Sequence, residues 1–262
     1  MFYLLNMDHK NYKVGIFIPC CVDQFAAGSG LKMVRLLESI GLQCYYPDEL
    51  TCCGMELYNQ GDREGAKQLG ERLIEQYEDC SFIVSCGSAC ITYMQRHFGH
   101  LFHNTTLHNN YRQFTSRCFD LCDFLVNVVD FKPTGIQFPH KVALLDHCST
   151  NRDYISQAHP DQPGLHDEPR TLLQVIEGLQ LVEMAQSDVC CGYGGMFASN
   201  FTPISDSLAK RKIENAMAAG AEYIVSTEMS CLLHLQSYID KNKLPLQCLH
   251  IIDLLENEEA NS

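Results

Sequence analysis

FIVSCGSAC, from Phe82 to Cys90, and YIVSTEMSC, from Tyr223 to Cys231, are two versions of one string: an aromatic residue, Ile-Val-Ser, four residues, then cysteine. Each opens on a short β-rich run of the kind that forms a buried strand, and a segment with helical spacing follows. The copies stand 141 positions apart. That is too long for a solenoid period, so the chain reads as one large unit duplicated.

Working outward, the same landmarks recur in the same order. TCCGMELYNQG holds Cys52-Cys53-Gly54 and DVCCGYGGMF holds Cys190-Cys191-Gly192, 138 apart; VGIFIPC (Val14 to Cys20) matches VALLDHC (Val142 to Cys148), 128 apart. Gly41-Leu42-Gln43 and Gly178-Leu179-Gln180 close the helix-like segments LKMVRLLESIG and PRTLLQVIEG, and the halves end on RCFDLCDFL from Arg117 and QCLHIIDLL from Gln247, 130 apart. The drift in offset predicts insertions in loops, mainly around ISQAHPDQPG (residues 155–164) and HFGHLFHNTTLHNN (residues 97–110), because loops absorb length changes at little cost.

Alternating strands and helices predict an α/β fold of two lobes related by a pseudo-twofold axis, residues 12–128 and 140–255, each a small, mostly parallel sheet flanked by helices. Ligands of such sheets sit at the carboxyl ends of the strands. Cys20, Cys90, Cys148 and Cys231 all follow a predicted strand. Each lobe is therefore expected to gather its repeated thiols at one sheet edge.

Those thiols dominate the composition: 15 of 262 residues are cysteine, well above ordinary usage. The start MFYLLNMDHKNYK lacks the basic segment of a secretory signal, and no apolar run approaches the about 20 residues of a membrane helix. The expectation is a cytoplasmic chain without a transmembrane segment, where structural disulfides are disfavoured. An odd number of cysteines also cannot all pair within one chain. A net charge of −13 disfavours nucleic acid and anionic membranes as partners.

Metal or cluster ligation is then the leading use for Cys20, Cys52, Cys53 and Cys90 in one lobe and Cys148, Cys190, Cys191 and Cys231 in the other. Four thiolates per lobe suit an iron–sulfur cluster. They also suit a structural zinc in an interaction protein, although zinc ligands usually come in pairs two to four residues apart, which neither lobe repeats. Gly54 and Gly192, with Gly194 and Gly195 of CGYGG, are expected to bring backbone amides close to a charged cofactor. Cys21, Cys44, Cys80 and Cys122 have no counterpart in the other half, and Cys118 and Cys248 correspond but head terminal segments; all six read as packing residues. Cys86, four residues before Cys90, is a candidate auxiliary ligand. His97, His100, His103 and His108 read as a solvated insertion, since the second half lacks them. No nucleotide-binding or hydrolase motif is present.

Cys, then CCG, then Cys, twice in one chain with Gly-Tyr-Gly-Gly after the second CCG, resembles the cysteine-rich CCG-domain family. FIPCCVDQF, TCCGMELYNQG, VSCGSAC, DVCCGYGGMF and SCLLH stand where that family's blocks stand. The resemblance implies 4Fe-4S clusters, up to one per lobe, of cubane or non-cubane type, on the eight repeated cysteines. It also implies an iron–sulfur electron-transfer subunit of an L-lactate oxidation system, working with a ferredoxin-like iron–sulfur subunit, a third small subunit and a small 2-hydroxy acid. Glycolate-oxidase-like and heterodisulfide-reductase-like subunits are the alternatives within the family. The latter carry a further cysteine three positions after the last motif cysteine, where this chain has Tyr93 and His234. For His234 a supporting place behind the ligands is expected rather than ligation.

Overall fold

The computed structural model describes residues 12–49, 51–148 and 168–256; the expected insertion at residues 155–164 lies outside them. The chain divides into two compact units, residues 1–124 and 125–262. In the first, β1 (Lys13–Phe17) leads through α1 (Cys20–Phe25) and α2 (Ala27–Ser39) to β2 (Gln43–Tyr45). Then α3 (Met55–Asn59) and α4 (Arg63–Gln76) lead to β3 (Phe82–Ser85), and α5 (Ser88–Phe102) and α6 (His108–Ser116) to β4 (Cys118–Asp120) and the single turn α7 (Leu121–Asp123). The second unit runs β5 (Lys141–Leu145), α8 (Glu168–Gln174), β6 (Gln180–Val182), α9 (Met196–Asn200), α10 (Thr202–Ala218), β7 (Tyr223–Ser226), α11 (Met229–Asn242), β8 (Gln247–His250) and α12 (Ile251–Leu255).

Each unit holds a four-stranded parallel sheet, in the order β2-β1-β3-β4 and β6-β5-β7-β8. The register repeats: Phe17 lies beside Ser85 and Leu145 beside Ser226. Val14, Ile16, Phe17, Ile83 and Val84 are buried, as are Val142 to Leu145, Ile224 and Val225. Unbroken burial is what central strands of a parallel sheet require. Gly15 interrupts this apolar run for a steric reason, since a β-carbon there would stand 2.5 Å from Cδ1 of Tyr77. That ring crosses β1 and its hydroxyl donates to the Ile16 carbonyl at 2.8 Å.

Two expectations are corrected. The extra length of the first half is a helix rather than a loop: α6 has no counterpart between α11 and β8. Its Phe114 is fully buried and stacks on Phe98 at 5.9 Å, so apolar burial holds the inserted residues in place. PRTLLQVIEG is helical only as far as Gln174, because Glu177 leaves the helix to bridge Gln137.

Candidate metal centre

The repeated Ile-Val-Ser ends in a buried serine that turns strand into helix. Ser85 Oγ accepts from the Gly87 amide at 3.1 Å, and Ser226 Oγ accepts from the Glu228 amide at 3.2 Å while donating to the Leu145 carbonyl at 2.7 Å. This turn sets the start of α5 and α11, and places Cys90 and Cys231 in the first helical turn above the sheet edge. Facing them come the CCG turns. Gly54 and Gly192 adopt φ of +85° and +97°, a region open mainly to glycine. A β-carbon on Gly192 would lie 2.6 Å from the Ser205 carbonyl oxygen, and one on Gly54 would lie 3.2 Å from that of Ala66.

The four thiols of each lobe form one chain of contacts. In the first, Cys20 meets Cys52, Cys52 meets Cys53, and Cys53 lies 3.2 Å from Cys90. In the second, Cys148 lies 3.6 Å from Cys190, Cys190 meets Cys191, and Cys191 lies 3.0 Å from Cys231. Cys53, Cys90, Cys191 and Cys231 are buried; Cys52, Cys148 and Cys190 are partly exposed and Cys20 is exposed. Each chain therefore runs from solvent into the lobe. The Gly54 amide approaches Cys52 Sγ at 3.5 Å and the Gly192 amide approaches Cys190 Sγ at 3.4 Å, while the Tyr193 amide serves Cys191. Gly194 and Gly195, both at positive φ, form the turn that starts α9.

Hydrogen bonds among neighbouring sulfurs shift the thiols in opposite directions. Bonds from Cys20 and Cys53 hold Cys52 well below the usual thiol range, and the same contacts push Cys20 and Cys53 up. In the second lobe the Cys191 contact, outweighing burial and joined by His147, lowers Cys231 to about 7. Burial alone would push His147 down, but its bond to Cys231 and the charges of Cys231, Glu228 and Cys190 raise it to about 8.

His147 matches Pro19 rather than a repeated residue, so no repeat marks it, and its place beside Cys148 is the signal the sequence carries. Lys212 was equally silent. It is fully buried on α10, donating to the Gln186 and Ser187 carbonyls at 3.2 and 3.0 Å. His234 lies behind the thiols: its Nε2 meets Ser205 Oγ at 3.1 Å, and Ser205 donates to the Gly192 carbonyl at 2.7 Å. Cys86 is buried in the turn between β3 and α5, and Cys80, Cys118 and Cys122 are buried too. Of the four histidines, His100 and His103 are exposed as expected, whereas His97 and His108 are half-buried against tyrosine rings. His97 is partly buried between the rings of Tyr58 and Tyr93, at 5.3 and 5.9 Å, and His100 Nδ1 meets the Tyr58 hydroxyl at 2.6 Å.

The residues fit an iron–sulfur core by the chemistry of their donors: four soft thiols in each lobe, with backbone amides aimed at the sulfurs. The hydroxyl of Tyr93, buried in the same cluster as Cys53 and Cys90, has no hydrogen-bond partner among the described residues. Such an orphan asks for an acceptor. Among the described residues no three His, Cys, Asp or Glu side chains take up a single-ion arrangement.

Residues 14–95 and 142–236 match the model of the cysteine-rich domain family, CCG. The chain belongs to this cysteine-rich CCG-domain family. Its relatives include Lactate utilization protein A of Bacillus subtilis (strain 168), 30% identical over 94% of this chain and 99% of that protein. Lactate utilization protein A 1 of Bacillus cereus (strain AH820) is 29% identical over the same shares. Among solved structures, a glutamate racemase of Bacillus anthracis aligns with a TM-score of 0.37 and 10% identity, over 97% of this chain and 82% of its own. No helix among the described residues is long and apolar enough to cross a membrane.

Proposed function

We propose that this chain is a cytoplasmic iron–sulfur electron-transfer subunit of a multi-subunit 2-hydroxy-acid oxidoreductase that converts L-lactate to pyruvate. The observation that carries the reading is the convergence of four repeated thiols in each lobe, at the edge where the strands end. Similarity to proteins named for lactate utilisation, over 94% of the chain, supports the substrate. Cys20, Cys52, Cys53 and Cys90 would hold one core of the 4Fe-4S class, and Cys148, Cys190, Cys191 and Cys231 a second. When bound, such a core takes up and gives back one electron at a time. The chain's own residues supply the ligands, the amides that stabilise charge on sulfur, and burial that keeps water from the inner pair. Oxidation of a hydroxy acid removes two electrons, so a ferredoxin-like iron–sulfur subunit and a third small subunit complete the assembly.

Anaerobic purification tests the first half of this reading. Broad absorbance at about 400 nm, with iron and acid-labile sulfide in proportion, is expected; a colourless protein that carries stoichiometric zinc would sink it. Lactate-dependent dye reduction by the mixed subunits tests the second half.

A further inference from the structure

The two thiol sites share a backbone but not their surroundings. Pro19 and His147 each precede the first thiol; Gly87 and Glu228 each lie three residues before the last; Tyr93 and His234 each lie three after it. Ala66 and Ser205 each face the CCG glycine, and Leu73 and Lys212 follow them by seven. At the corresponding places the first lobe has Pro19, Ala66, Leu73, Gly87 and the neutral phenol of Tyr93, with the Arg63 guanidinium, seated on the Tyr58 ring, acting on that phenol. A β-carbon on Gly87 would meet Pro19 at 2.4 Å, so nothing larger fits there. The second lobe has His147, Ser205, Lys212, Glu228 and His234 at the same five places.

Two of these bear on the sulfurs, His147 by a hydrogen bond and Lys212 by charge alone. His147 hydrogen-bonds Cys231, the innermost thiol of its chain. Burial pushes the Lys212 ammonium down while the charges of Cys191, Asp188, Cys190 and Asp146 push it up, and its protons go to two neutral carbonyls. The acids nearby pull the other way, and the buried Glu228 carboxylate reaches both Cys231 and His147. Glu228 accepts from the Ser230 amide and hydroxyl at 3.3 and 2.7 Å, and Asp146 lies 3.7 Å from Arg170; Asp188 acts on Lys212 without forming an ion pair among the described residues. Reduction adds one electron to a core, with no bond broken and no proton moved. Hydrogen bonds to its sulfurs and buried positive charge favour that extra negative charge.

Resting on the iron–sulfur reading of both sites, we infer that the two cores are unequal redox centres, and that His147 and Lys212, as positioning residues, make the second lobe's core the more easily reduced. The first lobe's core is the low-potential member of the pair.

The test is a potentiometric titration of the full chain, reconstituted anaerobically with iron and sulfide, reduced stepwise with dithionite and followed by electron paramagnetic resonance. Two resolved midpoints are expected. Cys191→Ser should remove the higher and Cys53→Ser the lower. His147→Ala and Lys212→Met should each lower the second-lobe midpoint, His147→Gln, which keeps an N–H donor, should restore part of the shift, and Pro19→Ala should move neither. Lys212→Met stands in if His147→Ala does not fold. Coincident midpoints, a higher first-lobe midpoint, loading of one lobe only, or no shift in the variants that fold would overturn the inequality. Iron and sulfide analysis on the same samples separates the two failures: a chain that takes up neither ends the iron–sulfur reading and this inference with it.

Discussion

At the scale of single residues, the CCG glycines and cysteines carry separable burdens. Gly192 needs both φ of +97° and the absence of a β-carbon 2.6 Å from a carbonyl oxygen. Gly192→Ala is expected to cost at least about 2 kcal/mol, combining backbone strain with overlap. Gly220→Ala is the matched control, since φ there is +78° but an added methyl meets nothing within 4 Å, and about 1 kcal/mol is expected. Urea denaturation in the presence of reductant reads both, and equal losses would show that the carbonyl contact contributes nothing. Among the thiols, Cys191→Ser should bleach much of the absorbance of the anaerobic protein, because hydroxyl does not replace a soft thiolate. Cys122→Ser, at a buried cysteine outside the repeated set, should leave the spectrum nearly intact, and the division between the two classes fails if both bleach alike.

At the scale of elements, the strand-to-helix turn connects fold with site. Ser226 bonds two buried backbone groups, the Leu145 carbonyl and the Glu228 amide. Ser226→Ala leaves both without that partner and should cost about 2–3 kcal/mol, while lowering iron uptake because Cys231 stands five residues downstream on the helix that the turn aims. Iron per folded chain is the measurement, and unchanged content would separate the turn from the site. The inserted helix α6 predicts the converse. Phe114→Ala removes a fully buried ring stacked on Phe98 and should cost about 3–5 kcal/mol, yet iron per folded chain should hold. Loss of iron there would mean that the insertion supports the thiols as well as the core.

For the molecule as a whole, duplication supplies two thiol sites and no group that accepts a hydride by a recognisable motif. The isolated chain should therefore fail to reduce dye with lactate, and activity should appear only with the partner subunits under anaerobic conditions. Equal rates with and without partners would make this chain a complete enzyme. Its net charge of −13 also predicts that the assembly loosens as salt rises, since screening shortens the reach of attraction to a basic partner face. Sedimentation at low and high ionic strength reads that directly.

What the sequence determined by itself is whatever depends on local spacing: the strands, the αL turns at CCG, the repeat and the eight thiols that share its register. Apolar runs bury themselves, and Gly-dependent turns announce their residue. Tertiary structure alone decided what stands around those thiols. His147, Ser205, Lys212 and Glu228 lie far apart along the chain from some of the sulfurs they face, and no period marks them, because a site's polar surroundings are assembled by packing between elements rather than by order within one. The inserted helix was hidden for a related reason. Phe98 and Phe102 belong to α5, and only where α6 packs against α5 does Phe114 join their rings in a common core.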